Sequence, residues 1–256
     1  RRNTKQLIEA LRPFWEGIIG VTEERNDEVK NDEESGTEIY KGYIFKNTEG
    51  TPENIRKFHP NIIVSSTGSA PLLPPIAGLK DRIDNENHNI YSILGMISHI
   101  NDFPKDLEGK KVVVVGGGAV GLDVVEFFAD RNADISIVEM MDQIGRDLDP
   151  VSKNDTKTMM KKHNVHQLTK TALLEVKDSS FLVRGDGEPY ELPFEYGFVC
   201  LGMRAQGQLY QNLTEEFSSE DVEIMNIGDS QRARRIIDGT QEGRNILTIL
   251  EQKGYL

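Results

Sequence analysis

The sequence predicts an α/β protein, with a parallel-sheet βαβ unit and a β-hairpin or meander over residues 105–220, in a chain long enough for a second lobe. Three observations carry this reading. Four consecutive valines, Val112 to Val115, run into a glycine cluster that opens a helical pattern, the signature of strand, tight turn and helix in a parallel unit. A β-branched run, Ile135 to Glu139, follows at the spacing of the next strand. Short apolar runs then alternate with turn signals such as Asp186-Gly187, as hairpins require.

Each element follows in order. Leu7, Ile8, Leu11, Phe14 and Trp15 have the three-and-four spacing of an amphipathic helix over Thr4 to Gly17, interrupted by Pro13, with Trp15 as a core anchor. Glu23 to Glu38 is acidic and nearly free of large apolar groups, so it reads as a solvated segment. Ile39 to Phe45 and Ile62 to Ser66 are expected strands, the second of the β-branched kind buried in a parallel sheet. Prolines 71, 74 and 75 make Gly68 to Pro75 a connector. Ile90 to Ile100 reads as a helix, and Asp102-Phe103-Pro104 closes it.

Within the central unit the pattern predicts a strand over Lys111 to Val115, a helix over Val120 to Arg131 and a strand over Ile135 to Glu139. Asp149-Pro150 opens a helix to about Lys162. Strands are expected near Val165 to Leu168, Leu173 to Val176, Phe181 to Val183, Phe198 to Leu201 and Val222 to Ile227, and a closing helix over Ile236 to Gln252. No repeat of fixed period occurs.

Composition limits the function. A chain of 256 residues with 37% hydrophobic content suits a soluble globular protein of one or two domains. The net charge of -12 disfavours nucleic acid as a partner, because neutralising phosphates needs a basic face. No apolar run approaches the ~20 residues that span a bilayer, and no signal segment opens the chain, so a cytoplasmic protein without membrane contact is expected. The first residue is Arg1 rather than Met, so the chain is expected to begin inside a longer polypeptide. The single cysteine, Cys200, excludes an internal disulfide and a redox-active cysteine pair, and its apolar run Phe198 to Leu201 marks it as a buried small hydrophobe. The five histidines, at 59, 88, 99, 163 and 166, have no metal-ligand spacing.

The chemistry centres on Gly116-Gly117-Gly118-Ala119-Val120-Gly121. Gly116 permits the tight turn, Gly118 lets the backbone approach a pyrophosphate, and Gly121 lets the helix pack closely on the strand. The helix then offers unpaired N–H groups and its positive dipole end to the phosphates. This is a Rossmann-type phosphate-binding turn, and its ligand is expected to be NAD(H). Glu139, 23 positions after Gly116, ends the second strand, where a carboxylate accepts both hydroxyls of an adenosine ribose and repels a 2′-phosphate. Met140 and Met141 follow it, and Arg146 is expected to be too distant to reverse that preference.

A second constellation pairs Thr67-Gly68-Ser69-Ala70-Pro71 with the distant Ile227-Gly228-Asp229. With Phe198 to Arg204, Arg235 to Asp238 and Glu242-Gly243, it resembles the two-dinucleotide-binding-domain flavoprotein reductases from about residue 46 to the end. Val138-Glu139-Met140 and Asn47-Thr48-Glu49 are most similar to the carboxy-terminal part of the enoate reductase and 2,4-dienoyl-CoA reductase group, relatives of old yellow enzyme. The resemblance implies a Rossmann-type NAD-binding domain over residues 105–220 beside an incomplete FAD-binding domain made from the two ends of the chain, residues 1–104 and 221–256. It implies Asp229 as a ligand of the FAD ribityl chain, with Thr67, Gly68 and Gly228 beside it, Gly202 on the strand leaving the NAD domain, and Asp123 near the nicotinamide ribose. It also implies an FMN domain with an iron-sulfur cluster preceding this segment.

The sequence departs from that pattern in several places. The first FAD motif, a strand with its own glycine-rich turn, is absent from residues 1–60. Asp123 replaces the family's glutamate, Leu201 and Ser66 its alanines. The chain alone is therefore expected to bind NADH but FAD weakly or not at all, and its exposed strand edges to be covered by self-association into a homo-oligomer or by a rearranged amino-terminal region that uses the helix around Leu7 to Trp15. The leading expectation is the NADH-binding portion of a flavin-dependent oxidoreductase that passes hydride from NADH to FAD and on to another redox centre. A non-catalytic dinucleotide-binding module and a diaphorase-like NADH dehydrogenase stand as alternatives.

Overall fold

The computed structural model describes residues 48–254, so the helix expected around Leu7 to Trp15, the acidic segment and the strand Ile39 to Phe45 lie outside the described residues. In chain order the described elements begin with α1 (Pro52–Arg56), β1 (Ile62–Ser65), β2 (Ser69–Pro71), α2 (Leu79–Arg82), β3 (Ile90–Tyr91), α3 (Ile93–Ser98), β4 (Lys111–Val115), α4 (Ala119–Ala129) and β5 (Asp134–Val138). They continue with α5 (Pro150–Lys162), β6 (His166–Leu168), β7 (Ala172–Val176), β8 (Ser180–Arg184), β9 (Tyr190–Pro193), β10 (Tyr196–Val199), β11 (Met203–Ala205), α6 (Gln208–Glu216), β12 (Glu223–Asn226), a 3₁₀ turn (Gly228–Ser230) and α7 (Ile236–Gln252).

Contacts divide these elements into two compact units. The larger holds residues 66–207 and 226–254, the smaller residues 48–65 and 208–225.

The larger unit is built on a five-stranded sheet in the order β3-β10-β4-β5-β6, parallel throughout. Val112, Val113, Val114 and Val115 are all buried, as a strand covered on both faces requires. On one face Phe128, Phe198, Ile135 and Ile137 pack with the inner side of α4; on the other Leu79, Ile90 and Phe181 join Val113 and Val115. The meander β7-β8-β9 is antiparallel and supplies Phe181 and Val183 to that second face. This is the mixed α/β, Rossmann-type architecture that the valine run and glycine turn predict.

Three local differences have physical causes. The helix expected over Ile90 to Ile100 is a two-residue strand and then a helix. Ile90 and Tyr91 pair with Gly197 and Phe198, and Ser92 caps the helix by accepting the Gly95 N–H at 3.1 Å. Ser69 to Pro71, inside the expected connector, forms an antiparallel ladder with β11, where a proline fits at an edge. In the smaller unit β1, expected in a buried parallel sheet, pairs among the described residues only with β12 and leaves Val64 39% exposed. That unit holds together through Ile63, Leu213 and Phe217, with Ile55 and Leu209 packed against them.

Candidate functional site

The order of the parallel sheet decides where a ligand can sit. From β4 the chain winds outward through β5 and β6, whereas β10 returns on the other side of β4. The crossovers therefore part between β4 and β10, leaving a crevice beyond the carboxyl ends of these strands, the place where open α/β sheets hold ligands. A cleft of about 810 Å³ lies there, lined by Gly116 to Val120 after β4, Glu139 after β5, and Cys200 to Gly202 after β10. Its size is that of a cofactor site.

Each glycine of the turn has its own geometry. Gly116 takes φ +110°, and a Cβ there would stand 2.1 Å from the Cys200 carbonyl oxygen. A Cβ on Gly121 would stand 1.9 Å from the Gly116 oxygen, so α4 lies against the turn at a distance only glycine allows. Gly118 differs: it is the N-cap of α4, and a Cβ on it would meet nothing within 4 Å. Gly121 and Gly116 are thus required by protein packing, whereas Gly118 opens on the cleft. No side chain caps the helix, so the N–H groups of Ala119, Val120 and Gly121 are left for a ligand.

Glu139 faces this turn. One carboxylate oxygen accepts the Gly117 N–H at 2.6 Å and the other the Met141 N–H at 2.7 Å. Each oxygen keeps a further lone pair for a hydroxyl. The segment after β5 also folds back, because the Gly145 N–H donates to the Gly117 carbonyl at 2.7 Å. This bond brings Gln143, Arg146 and Asp147 to the cleft wall, so Arg146 is not remote from the site as its place in the sequence suggests. Donors at a helix start, an open glycine and a strand-end carboxylate together fit the pyrophosphate and ribose of a dinucleotide.

Asp123 lies on α4, one helical turn before Glu126, and is not among the residues that line the cleft. Desolvation, then the charge of Glu126, raises its carboxyl to about 6. The residue is nonetheless solvent-exposed, which screens part of that cost. Burial, and secondarily Asp123, pushes the Cys200 thiol up to about 12, so it is an inert wall of the cleft.

The second constellation also assembles, from segments 160 residues apart. The Ser69 hydroxyl donates to one Asp229 oxygen at 3.1 Å, and the Arg234 N–H to the other at 3.2 Å. Thr67 donates to the Gln206 carbonyl at 2.5 Å, and the Gln206 N–H to that of Gly68 at 2.9 Å. Gly228 (φ +67°) donates its N–H to Glu242 at 2.6 Å, and Glu242 pairs with Arg234, which holds its carboxyl below the usual range. Gly68 and Gly228 both have open space where a Cβ would stand. The carboxylate retains acceptor capacity for a polyhydroxyl chain, but the described residues supply no second phosphate cradle.

Sheet order, glycine turn and strand-end acid define a protein of the Rossmann-type dinucleotide-binding class. Comparison with known sequences narrows this: the pyridine nucleotide-disulphide oxidoreductase family matches residues 2–225, and the chain belongs to that family. Its members are flavoproteins that pair FAD with NAD(P)H. Relatives include an NADH oxidase of Thermoanaerobacter brockii, 26% identical over 192 residues, covering 75% of this chain and 28% of the relative. A metal reductase of Desulforamulus reducens is 26% identical over 77% of this chain and 32% of its own, and a cinnamate reductase of Clostridium sporogenes 21% identical over 82% and 30%. Among solved structures, a 2-naphthoyl-CoA reductase superposes with a TM-score of 0.64 at 22% identity, over 77% of this chain and 28% of that one. These chains share the fold, and this chain spans about a third or less of their length. No helix of the described residues is long and apolar enough to cross a membrane.

Proposed function

We propose that residues 105–220 bind NADH for hydride transfer to a flavin, as part of a larger flavin-dependent oxidoreductase. The observation that carries this reading is Gly118: it heads α4 with open space before it, while Gly116 and Gly121 are held by backbone contacts. The N–H groups of residues 119–121 would hold the pyrophosphate, and Glu139, oriented by Gly117 and Met141, would accept the ribose hydroxyls. Cys200, Leu201 and Gly202 would wall the nicotinamide end; Asp123, which does not itself line the cleft, would lie toward the nicotinamide ribose only as the family resemblance implies. Bound FAD would supply the hydride acceptor. This chain's part is to position the dinucleotide and exclude water.

The two ends of the chain, residues 1–104 and 221–256, would supply a partial FAD-binding domain, with Asp229, Gly228, Thr67 and Gly68 toward the ribityl end. The parent would be of the enoate or 2,4-dienoyl-CoA reductase type, a reading that the likeness to a cinnamate reductase supports; FMN and an iron-sulfur cluster in that parent rest on the resemblance alone. One observation favours a second reading, a binding module that reduces no flavin: the sequence has a single glycine-rich phosphate turn.

Purification with excess FAD, followed by flavin absorbance and anaerobic bleaching with NADH, separates the two. Parallel titrations test the nucleotide. NADH should bind more tightly than NADPH by about 10- to 100-fold, the equivalent of roughly 1–3 kcal/mol for a carboxylate facing a 2′-phosphate. Arg146 on the cleft wall works against that preference, so Arg146→Ala should widen it.

A further inference from the structure

We propose that Met140 is a site of reversible oxidation, and that its conversion to the sulfoxide weakens dinucleotide binding. Of the large apolar side chains that line the cleft among the described residues, only Met140 and Met141 are exposed, Met140 by 68% and Met141 by 39%. An apolar side chain left open on a cofactor-sized cleft is surface that a ligand can cover.

The backbone holds the pair in place. Met141 donates its N–H to Glu139 at 2.7 Å, and its carbonyl accepts the Lys170 N–H at 2.9 Å. Glu139 is pinned in the same way: its N–H donates to the Leu168 carbonyl and its own carbonyl accepts the Thr171 N–H, both at 2.9 Å. Met140 thus stands between two anchored residues, and its exposure does not come from a loose loop.

The inference rests on the proposed dinucleotide reading. There Glu139 takes the adenosine ribose, which puts the residue after it on the adenine side of the cleft. A thioether is apolar and polarizable, suited to contact with an aromatic ring. A sulfoxide is polar, and covering it with a ring face leaves its oxygen without a hydrogen-bond partner. In the oxidation the sulfur lone pair attacks one oxygen of hydrogen peroxide, the O–O bond breaks, an S–O bond forms, and water leaves. Sulfur is oxidised by two electrons and the peroxide reduced by two. Reduced flavins yield peroxide when they meet dioxygen, so the oxidant belongs to the proposed setting. Oxidised Met140 would then slow the delivery of NADH to the flavin that produces it.

The chain's other methionines give an internal comparison. Met96 and Met160 are buried, and Met159, Met203 and Met225 are half-buried. The test treats the full chain with hydrogen peroxide, with and without saturating NAD+, and maps the gain of oxygen at each methionine by peptide mass spectrometry. NADH is then titrated after the peroxide is removed. Met140 should oxidise before the half-buried methionines, and bound NAD+ should slow it. NADH affinity should fall by about three- to ten-fold. Methionine sulfoxide reductases for the two epimers should restore it. Met140→Leu keeps the apolar surface, so it should bind NADH like the native chain and hold its affinity through peroxide treatment, whereas Met141→Leu should stay sensitive. Unchanged affinity with Met140 fully oxidised would overturn the inference, as would an equal loss in Met140→Leu. Oxidation of Met140 at the same rate with NAD+ bound would overturn it too. A native chain that binds no NADH would instead overturn the dinucleotide reading, and this inference with it.

Discussion

The turn after β4 and the turn after β12 both end a strand in glycine and carry a carboxylate, yet they are built differently. The first is contiguous: strand, glycines and helix lie within residues 111–129, and Glu139 arrives on the adjacent strand to bind Gly117. The second depends on segments 160 residues apart, with Ser69 and Arg234 converging on Asp229. A contiguous cradle has its full donor set wherever its βαβ unit folds. A cradle shared between distant segments is only as complete as the sheet that joins them. On the proposed reading the first region would bind the nucleotide by itself, and the second would contribute contacts to a flavin site.

Gly121→Ala should have the largest effect. Its Cβ would lie 1.9 Å from a backbone oxygen that cannot move without displacing the turn, so about 3 kcal/mol or more of stability should be lost, seen as a large fall in Tm. A variant that melts like the parent would mean that α4 does not rest on the turn. Asp229→Ala tests the other region and should do less. It removes two hydrogen bonds at an accessible site, a loss of about 1–2 kcal/mol, and leaves NADH affinity unchanged. A fall in NADH affinity would join the two regions into one site.

A smaller effect should appear with pH. Asp123 titrates near 6 in the folded chain, above its ordinary 3.8, so between these values the folded state binds more protons than the unfolded state. Stability should therefore rise as pH falls from about 6 toward 4 and decline as pH rises through that window. Asp123→Asn should remove this component from denaturant midpoints measured across the window; an unchanged slope would assign it elsewhere.

Val112 to Gly121 was legible because strand burial, positive φ and close packing each demand a particular residue type within ten positions. Glu139 followed from its distance along one βαβ unit. The approach of Arg146 was not legible, since it depends on the Gly145 to Gly117 hydrogen bond, a contact between loops that periodicity does not report. Tyr190 to Pro193 was missed for a related reason: its pattern is polar because it is an edge strand held by β8. The short α1 had a readable signal in Thr51-Pro52, where the threonine caps and the proline opens the first turn. Ser69 and Asp229 were each recognisable, but their contact is tertiary.

The most direct test of the central claim is titration of NADH into the native chain and into Gly118→Val, with circular dichroism to match their folds. Because nothing lies within 4 Å of a Cβ at Gly118, the variant should fold and melt close to the parent, while its branched side chain fills the space before the α4 N–H groups. NADH affinity should fall by about 100-fold or more, equivalent to roughly 3 kcal/mol. Equal affinity in two equally folded chains would show that the pyrophosphate does not bind at this turn.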